Sequence, residues 1–281
     1  MTAPKGWCPS IWRPMPTEDG LLARLRPHMN RLTATQALEI CDLAETTGSG
    51  LLDLTNRASL QLRGLRPDTH GTLLDGLRAL DLLDPNLDTE TRRSLLVTPF
   101  WQPNDMTHRL ATAFRDRLQD VPKLPAKCGT VIDTGPTPCL TDTPGDIRIE
   151  RSTTGLIVRA DGSPTGLPVT EDTAIDAAIN LAHWFNTHRT PDRRRMAHVV
   201  AHTPLPDTYT GTAPRPATKP THPFTEVSTN GRITAAALRD LLTTSRATAL
   251  RLTPWRSLLL ENAAPNTPTA LPYVHTVTEP L

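Results

Sequence analysis

The sequence holds no apolar run near the ~20 residues that a membrane-spanning helix requires. Its N-terminus, MTAPKGWCPSIW, lacks the hydrophobic stretch of a signal peptide. Both absences point to a soluble, cytoplasmic protein. Lysine plus arginine number 30 and aspartate plus glutamate 29, a formal charge of +1. So neutral a chain offers no general attraction to nucleic acid or to a membrane surface. Cysteine is sparse. Cys8, Cys41, Cys128 and Cys139 form no CxxC or CxxxC pair, and the nearest two have ten residues between them. That spacing gives no local support for a cluster, and a reducing compartment without disulfides is the simpler reading. There is no GxGxxG, Walker A, HExxH or GxSxG motif, so the chemistries those motifs serve have no anchor here.

Proline is the residue in excess, with 28 in a chain of 281, about twice the usual ~5%. The prolines follow no period and cluster in loops, so they punctuate a folded chain long enough for one large domain or a few small ones.

The first recognisable pattern is GLLARLRPHMN at Gly20. Alternation through Leu22, Arg24 and Arg26 predicts a strand with a basic face. RLTATQALEICDLAETTGSG follows. Thr33 or Thr35 caps a helix whose apolar side is Ala37, Leu38, Ile40, Cys41 and Ala44, and Gly48 and Gly50 end it. LLDLTNRASLQLRGL reads as two short strands about a turn at Asn56. PDTHGTLLDGLRALDLL reads as a second helix with Leu73, Leu74, Leu77 and Leu80 on one side. The order is β-α-β-β-α.

Part of this order recurs. RLTATQAL at Arg31 is echoed by RITAAALR at Arg232, and LDLTNRASLQL at Leu52 by LRLTPWRSLLL at Leu250. The arginine-to-leucine spacing is 21 residues in the first copy and 18 in the second, the difference a loop deletion would leave. Two matched segments in one order indicate an internal duplication. Between the copies, MTHRLATAFRDRLQDV reads as a helix and LPAKCGTVIDTG as a loop entering a strand. GDIRIERSTTGLIVRADGS reads as a hairpin turning at Thr153-Thr154-Gly155. A helix begins near Thr170, a short one covers PDRRRMAHVVAHT, and residues 203–223 form a Pro/Thr linker. The expected domains are 1–90, 91–205 and 206–281, the outer two being the repeated halves.

The chemically distinctive residues are basic. On a strand, odd-numbered positions share a face, so Arg57, Ser59, Gln61 and Arg63 project together. Guanidinium forks bind carboxylates and other oxyanions through two hydrogen bonds at once. Arg24 and Arg26 form a second pair, and Lys127 sits in a proline-bounded loop. Spacing alone favours a solvated sheet face, which is commonly charged. Against that, no acid occurs from Arg57 to Arg66. The histidines add no metal site. His183 and His188 are five apart, and the His198/His202 pair lacks a carboxylate beside it.

GWCPSIWRPM, EDGLLARLRP, DLTNRASLQLRG, PAKCGTVIDTG and LRLTPWRSLLLE together resemble the precorrin-3B synthase family of the nitrite/sulfite reductase superfamily. The similarity runs from about Gly6 to Glu261. It implies an α+β fold in which two ferredoxin-like half-domains flank a partial central α/β domain. It implies an oxidoreductase of aerobic cobalamin biosynthesis that hydroxylates precorrin-3A with dioxygen and closes a lactone. An electron donor would then be a partner, with no role for nucleic acid or membrane. In the family's R-x-x-x-Q motif the arginine and glutamine lie against the tetrapyrrole. Arg57 and Gln61 match it, Arg63 follows, and Lys127 matches the basic residue of LPxK. Arg251 and Arg256 fall in the equivalent strand region of the second half, where Trp255 stands in place of Arg57. The expected substrate-binding set is thus Arg24, Arg26, Arg57, Gln61, Arg63, Lys127, Arg251 and Arg256. The family also uses a [4Fe-4S] cluster, and related reductases use siroheme. The cluster cysteines normally form C-x5-C and C-x3-C pairs after the second half-domain, and neither pair occurs in this sequence. A truncated or split gene with the cluster on a separate chain, a degenerate homologue, and a non-catalytic tetrapyrrole binder all remain compatible with that pattern.

Overall fold

The computed structural model describes residues 7–153, 155–215, 219–272 and 274. The chain divides into two compact units: Pro9–Asp84 with the chain from Pro223 onward, and Pro85–His222 with Trp7 and Cys8. The first two segments are the duplicated halves, so both halves lie in one unit.

The first half runs β1 (Met15–Thr17), β2 (Gly20–Leu25), β3 (Arg31–Thr33), α1 (Ala34–Thr47), β4 (Leu51–Leu54), β5 (Leu60–Leu65) and α2 (His70–Ala79). The central unit contributes α3 (Leu87–Arg92), β6 (Leu95–Val97), α4 (Met106–Asp116), β7 (Thr130–Asp133), β8 (Ile147–Ser152), β9 (Gly155–Ala160), β10 (Thr165–Val169), α5 (Glu171–His188), α6 (Met196–Val200) and β11 (Gly211–Thr212). The second half is β12 (Thr225–Ser228), β13 (Arg232–Thr234), α7 (Ala235–Ser245), β14 (Ala249–Leu252) and β15 (Ser257–Glu261). The fold is α+β.

Local chemistry explains the repeated elements. Thr33 caps α1 by accepting from the Gln36 backbone N–H, and the Gln36 amide oxygen accepts from the Thr33 N–H, a reciprocal capping box. Thr234 caps α7 on the Ala237 N–H in the same way. Ala37, Ile40, Cys41 and Ala44 are buried on α1, and Gly50, at φ 70°, receives the chain past its end. The three-residue length difference between the copies is helical. α1 has 14 residues and α7 has 11, with three residues after each before the next strand. About one helical turn is missing, so the expected loop deletion is corrected to a shorter helix.

The halves exchange strands. One sheet has the order β1-β2-β5-β4-β13 and the other β12-β15-β14-β3. Thus β13 of the second copy pairs with β4 of the first, and β3 of the first with β14 of the second. In the five-stranded sheet Ala23, Leu62, Leu52 and Ile233 lie in one cross-strand row, none more than 1% exposed. α1 packs against α7 and α2 and against strands of both sheets.

The central unit has a six-stranded sheet, β11-β10-β9-β8-β7-β6, with β6, β7 and β8 parallel and the rest antiparallel. α5 lies on β8–β10 and contacts α4. Thr170 caps α5 with a return contact from Thr173. The expected hairpin is β8–β9, although its turn residue Thr154 lies outside the described residues. The expected linker is partly structured, since β11 pairs with β10. Residues 216–218 of that linker also lie outside the described residues.

Candidate functional site

In the five-stranded sheet, alternate residues point away from the buried row. Arg24, Gln61, Asp53 and Arg232 stand opposite one another on β2, β5, β4 and β13. Directly paired residues share a face, so these four form one polar row across four strands. Arg63, two positions from Gln61, is on the same face.

Asp53 is the centre of that face. Its carboxylate accepts from Arg232 Nε at 2.5 Å and Nη2 at 2.9 Å, and from Arg63 Nη1 at 3.1 Å. Arg63 turns its other edge to Asp19, through Nε and Nη2 at 2.8 Å each. Burial pushes the Asp19 carboxyl up, but the Arg63 fork and the Thr17 hydroxyl outweigh it and hold the group below its usual range. Arg63 is therefore engaged with two acids of this chain.

Arg24 differs. Its Nε is buried and has no hydrogen-bond partner among the described residues. Opposite it, the Gln61 side chain makes no hydrogen bond among the described residues either. A buried donor without a partner costs about 1–3 kcal/mol unless something outside the chain satisfies it. Arg24 and Gln61 together form a guanidinium–amide donor pair suited to a carboxylate or another oxyanion.

The expected odd-numbered stripe is shorter than its spacing implied. β5 begins at Leu60, so Arg57 and Ser59 belong to the turn. Ser59 is buried, its hydroxyl 2.7 Å from that of Thr55, and the left-handed Ala58 (φ 48°) breaks the alternation. Arg57 is half-buried in this turn and directs its backbone N–H to Thr55 Oγ1. Arg26 lies just past the end of β2.

The second copy repeats the architecture with its charges reversed. Asp53 and Arg63 correspond to Arg251 and Glu261. Glu261 accepts from Arg251 Nε at 2.7 Å and from both Nε and Nη2 of Arg31 at 2.8 Å. In each copy one carboxylate thus joins two arginines, one of them delivered by the exchanged strand. The Arg31 fork, followed by Arg251, holds the Glu261 carboxyl down at about 2. Arg251 is only 3% exposed, and Phe224 lies over its guanidinium at 4.3 Å. Arg251 is therefore a buried cation paired within the fold. The turn repeats as well. Thr253 and Ser257 match Thr55 and Ser59, and Trp255 and the left-handed, exposed Arg256 (φ 61°) match Arg57 and Ala58. Lys127, exposed at φ 73°, belongs to the central unit, in the loop before β7.

Asp53, Asp19, Arg31, Glu261 and Arg232 were not singled out as site residues from the sequence. The signal for three of them was available: Arg31 and Arg232 begin the matched repeats, and Asp53 sits inside LDLTNR.

The cysteines do not fit a cluster. Cys41 is inside α1, where burial pushes its thiol up to about 12. Cys128 Sγ donates to the Arg194 carbonyl at 3.2 Å. Cys139 Sγ lies 3.1 Å from Thr98 Oγ1 and 3.6 Å from Asp133, and burial with that carboxyl pushes it up as well. Among the described residues no three His, Cys, Asp or Glu side chains converge on a common point. No helix among the described residues is long and apolar enough to cross a membrane.

Comparison with known proteins agrees with the motif resemblance. Residues 13–80 match the nitrite/sulfite reductase ferredoxin-like half domain. A precorrin-3B synthase from Sinorhizobium sp is 32% identical over 157 residues, a match that takes in 53% of this chain and 33% of that protein. The Mycobacterium tuberculosis NirA protein shares the fold, with a TM-score of 0.67 at 15% identity, covering 87% of this chain and 54% of that one. The chain thus resembles the precorrin-3B synthase type of the nitrite/sulfite reductase superfamily. Each match spans well under two thirds of the known protein's length.

Proposed function

We propose that this chain is precorrin-3B synthase-like and supplies the tetrapyrrole-binding part of an oxygen-dependent hydroxylation and lactone formation on precorrin-3A, in aerobic cobalamin biosynthesis. The 32% identity to a protein of that name carries the reading. The donor pair at Arg24 and Gln61 supports it physically. Precorrins carry many carboxylates, and a guanidinium backed by an amide binds and orients one of them. Asp53 and Asp19 hold Arg63 beside this pair through hydrogen bonds. Dioxygen, an electron donor and a separate iron–sulfur chain complete the proposal as partners, and no step is assigned to the four cysteines.

A second reading is a non-catalytic tetrapyrrole binder. That no three His, Cys, Asp or Glu side chains converge among the described residues favours it. One experiment distinguishes the two. The chain is supplied with precorrin-3A, dioxygen and a reducing system that includes an iron–sulfur protein as electron carrier, and products are followed by mass spectrometry. Gain of one oxygen atom supports the synthase reading. Retained substrate binding without that product supports the second reading.

A further inference from the structure

We infer that Asp53 sets the specificity of the basic face, shutting out single small oxyanions and leaving the face to ligands whose carboxylates are spread apart. The inference rests on the polycarboxylate reading given above.

Two guanidinium groups, Arg63 and Arg232, converge near the middle of the polar row. Convergent forks are the arrangement that captures a small oxyanion. Here the place is already taken. Both oxygens of Asp53 accept from these arginines, at 2.5 and 2.9 Å from Arg232 and 3.1 Å from Arg63. Asp53 is tethered to β4, so no diffusion step is needed to keep it there. A free anion must either displace it or settle beside a like charge.

Arg24 stands clear of that repulsion. It is two strands from Asp53 across β5, a separation of roughly 10 Å at ~4.8 Å per strand. This is about one Debye length in physiological salt. A ligand of that reach places one carboxylate on Arg24 and Gln61 and keeps an uncharged part of its body over Asp53. A single small anion has no such option. The second copy shows the same device taken further, since Glu261 fills its arginine pair and Phe224 covers it.

The test compares wild type with Asp53→Asn and Asp19→Asn. Sulfite and nitrite are titrated by calorimetry, and uroporphyrin, an octacarboxylate porphyrin, by fluorescence. Circular dichroism melts report folding. Wild type is expected to bind uroporphyrin and to show no saturable sulfite or nitrite binding. Asp53→Asn is expected to gain small-anion affinity by about tenfold or more, the effect of one released charge-assisted contact. Asp19→Asn changes a more exposed acid and leaves Arg63 on Asp53, so about a twofold to threefold gain is expected. A folded Asp53→Asn chain that binds sulfite and nitrite no better than wild type overturns the inference. If Asp53→Asn does not fold, an Asp19→Asn chain with no gain overturns it. Failure of wild type to bind uroporphyrin overturns the polycarboxylate reading instead, and the small-anion arms still decide the role of Asp53.

Discussion

Arg31 closes two parallel 2.8 Å hydrogen bonds on Glu261, across 230 positions of sequence. The contact exists because β3 is handed to the other half's sheet, where Arg31 lies opposite Arg251. Free glutamate titrates near 4.5, and Glu261 in the fold titrates near 2. Its contribution is therefore complete above about pH 4.5 and is lost as pH falls from there through about 2. Part of the triad meets solvent, which screens the contribution to about 1–2 kcal/mol. In urea unfolding series, Glu261→Gln should be less stable than wild type by about that amount near neutral pH. The gap should close toward about pH 2, and a gap independent of pH would count against the assignment.

The two halves should respond oppositely to loss of an arginine. Arg251→Ala removes a buried partner of Glu261 and should cost about 2–4 kcal/mol of stability with little effect on ligand affinity. Arg24→Ala removes a guanidinium whose Nε has no partner among the described residues, so stability should hold within about 0.5 kcal/mol. Thermal melts beside porphyrin titrations of both variants check this. A loss of binding in Arg251→Ala equal to that in Arg24→Ala would contradict it.

The buried row beneath the polar face should be costly to thin. Leu52 is fully buried between Leu62 and Ile233, on a strand that holds both halves together. Leu52→Ala should lose about 2–5 kcal/mol, read as a drop in the urea midpoint with the slope unchanged.

Native thiol chemistry should be quiet at two cysteines. With its thiol near 12, Cys41 carries only about one thiolate in ten thousand at pH 8. Cys139 is pushed up as well. Iodoacetamide should leave both unlabelled in the folded chain and label both in urea, as mass mapping of tryptic peptides would show. Prompt labelling of Cys139 in the folded chain would mean that its packing against Asp133 and Thr98 is wrong.

Much of this fold was legible in the sequence, for physical reasons that can be named. The Thr33/Gln36 capping box, the α1 apolar stripe and the LQLRGL alternation each depend on near neighbours, and local pattern records such relations. The duplication was legible because Arg31 and Arg232 open matching segments. The strand exchange was not. Arg-x-Thr strands fit either half equally well, and pattern does not say which sheet a strand joins. The same gap hid the ion pairs of the basic residues. Arg63 and Arg251 were grouped as basic because their acids, Asp19, Asp53 and Glu261, meet them through the turn and the sheet register. The contrast between LQLRGL and SLLLE did hold the asymmetry. Gln61 is half-buried on the polar face, while its counterpart Leu259 is fully buried.

The central claim is that the donor pair of Arg24 with Gln61 receives a tetrapyrrole carboxylate. Fluorescence titration of the chain with uroporphyrin, wild type against Arg24→Ala, tests it most directly. The account predicts saturable wild-type binding that weakens with salt, and about a tenfold loss of affinity in the variant. Equal affinity in the two chains, with both folded, would contradict it.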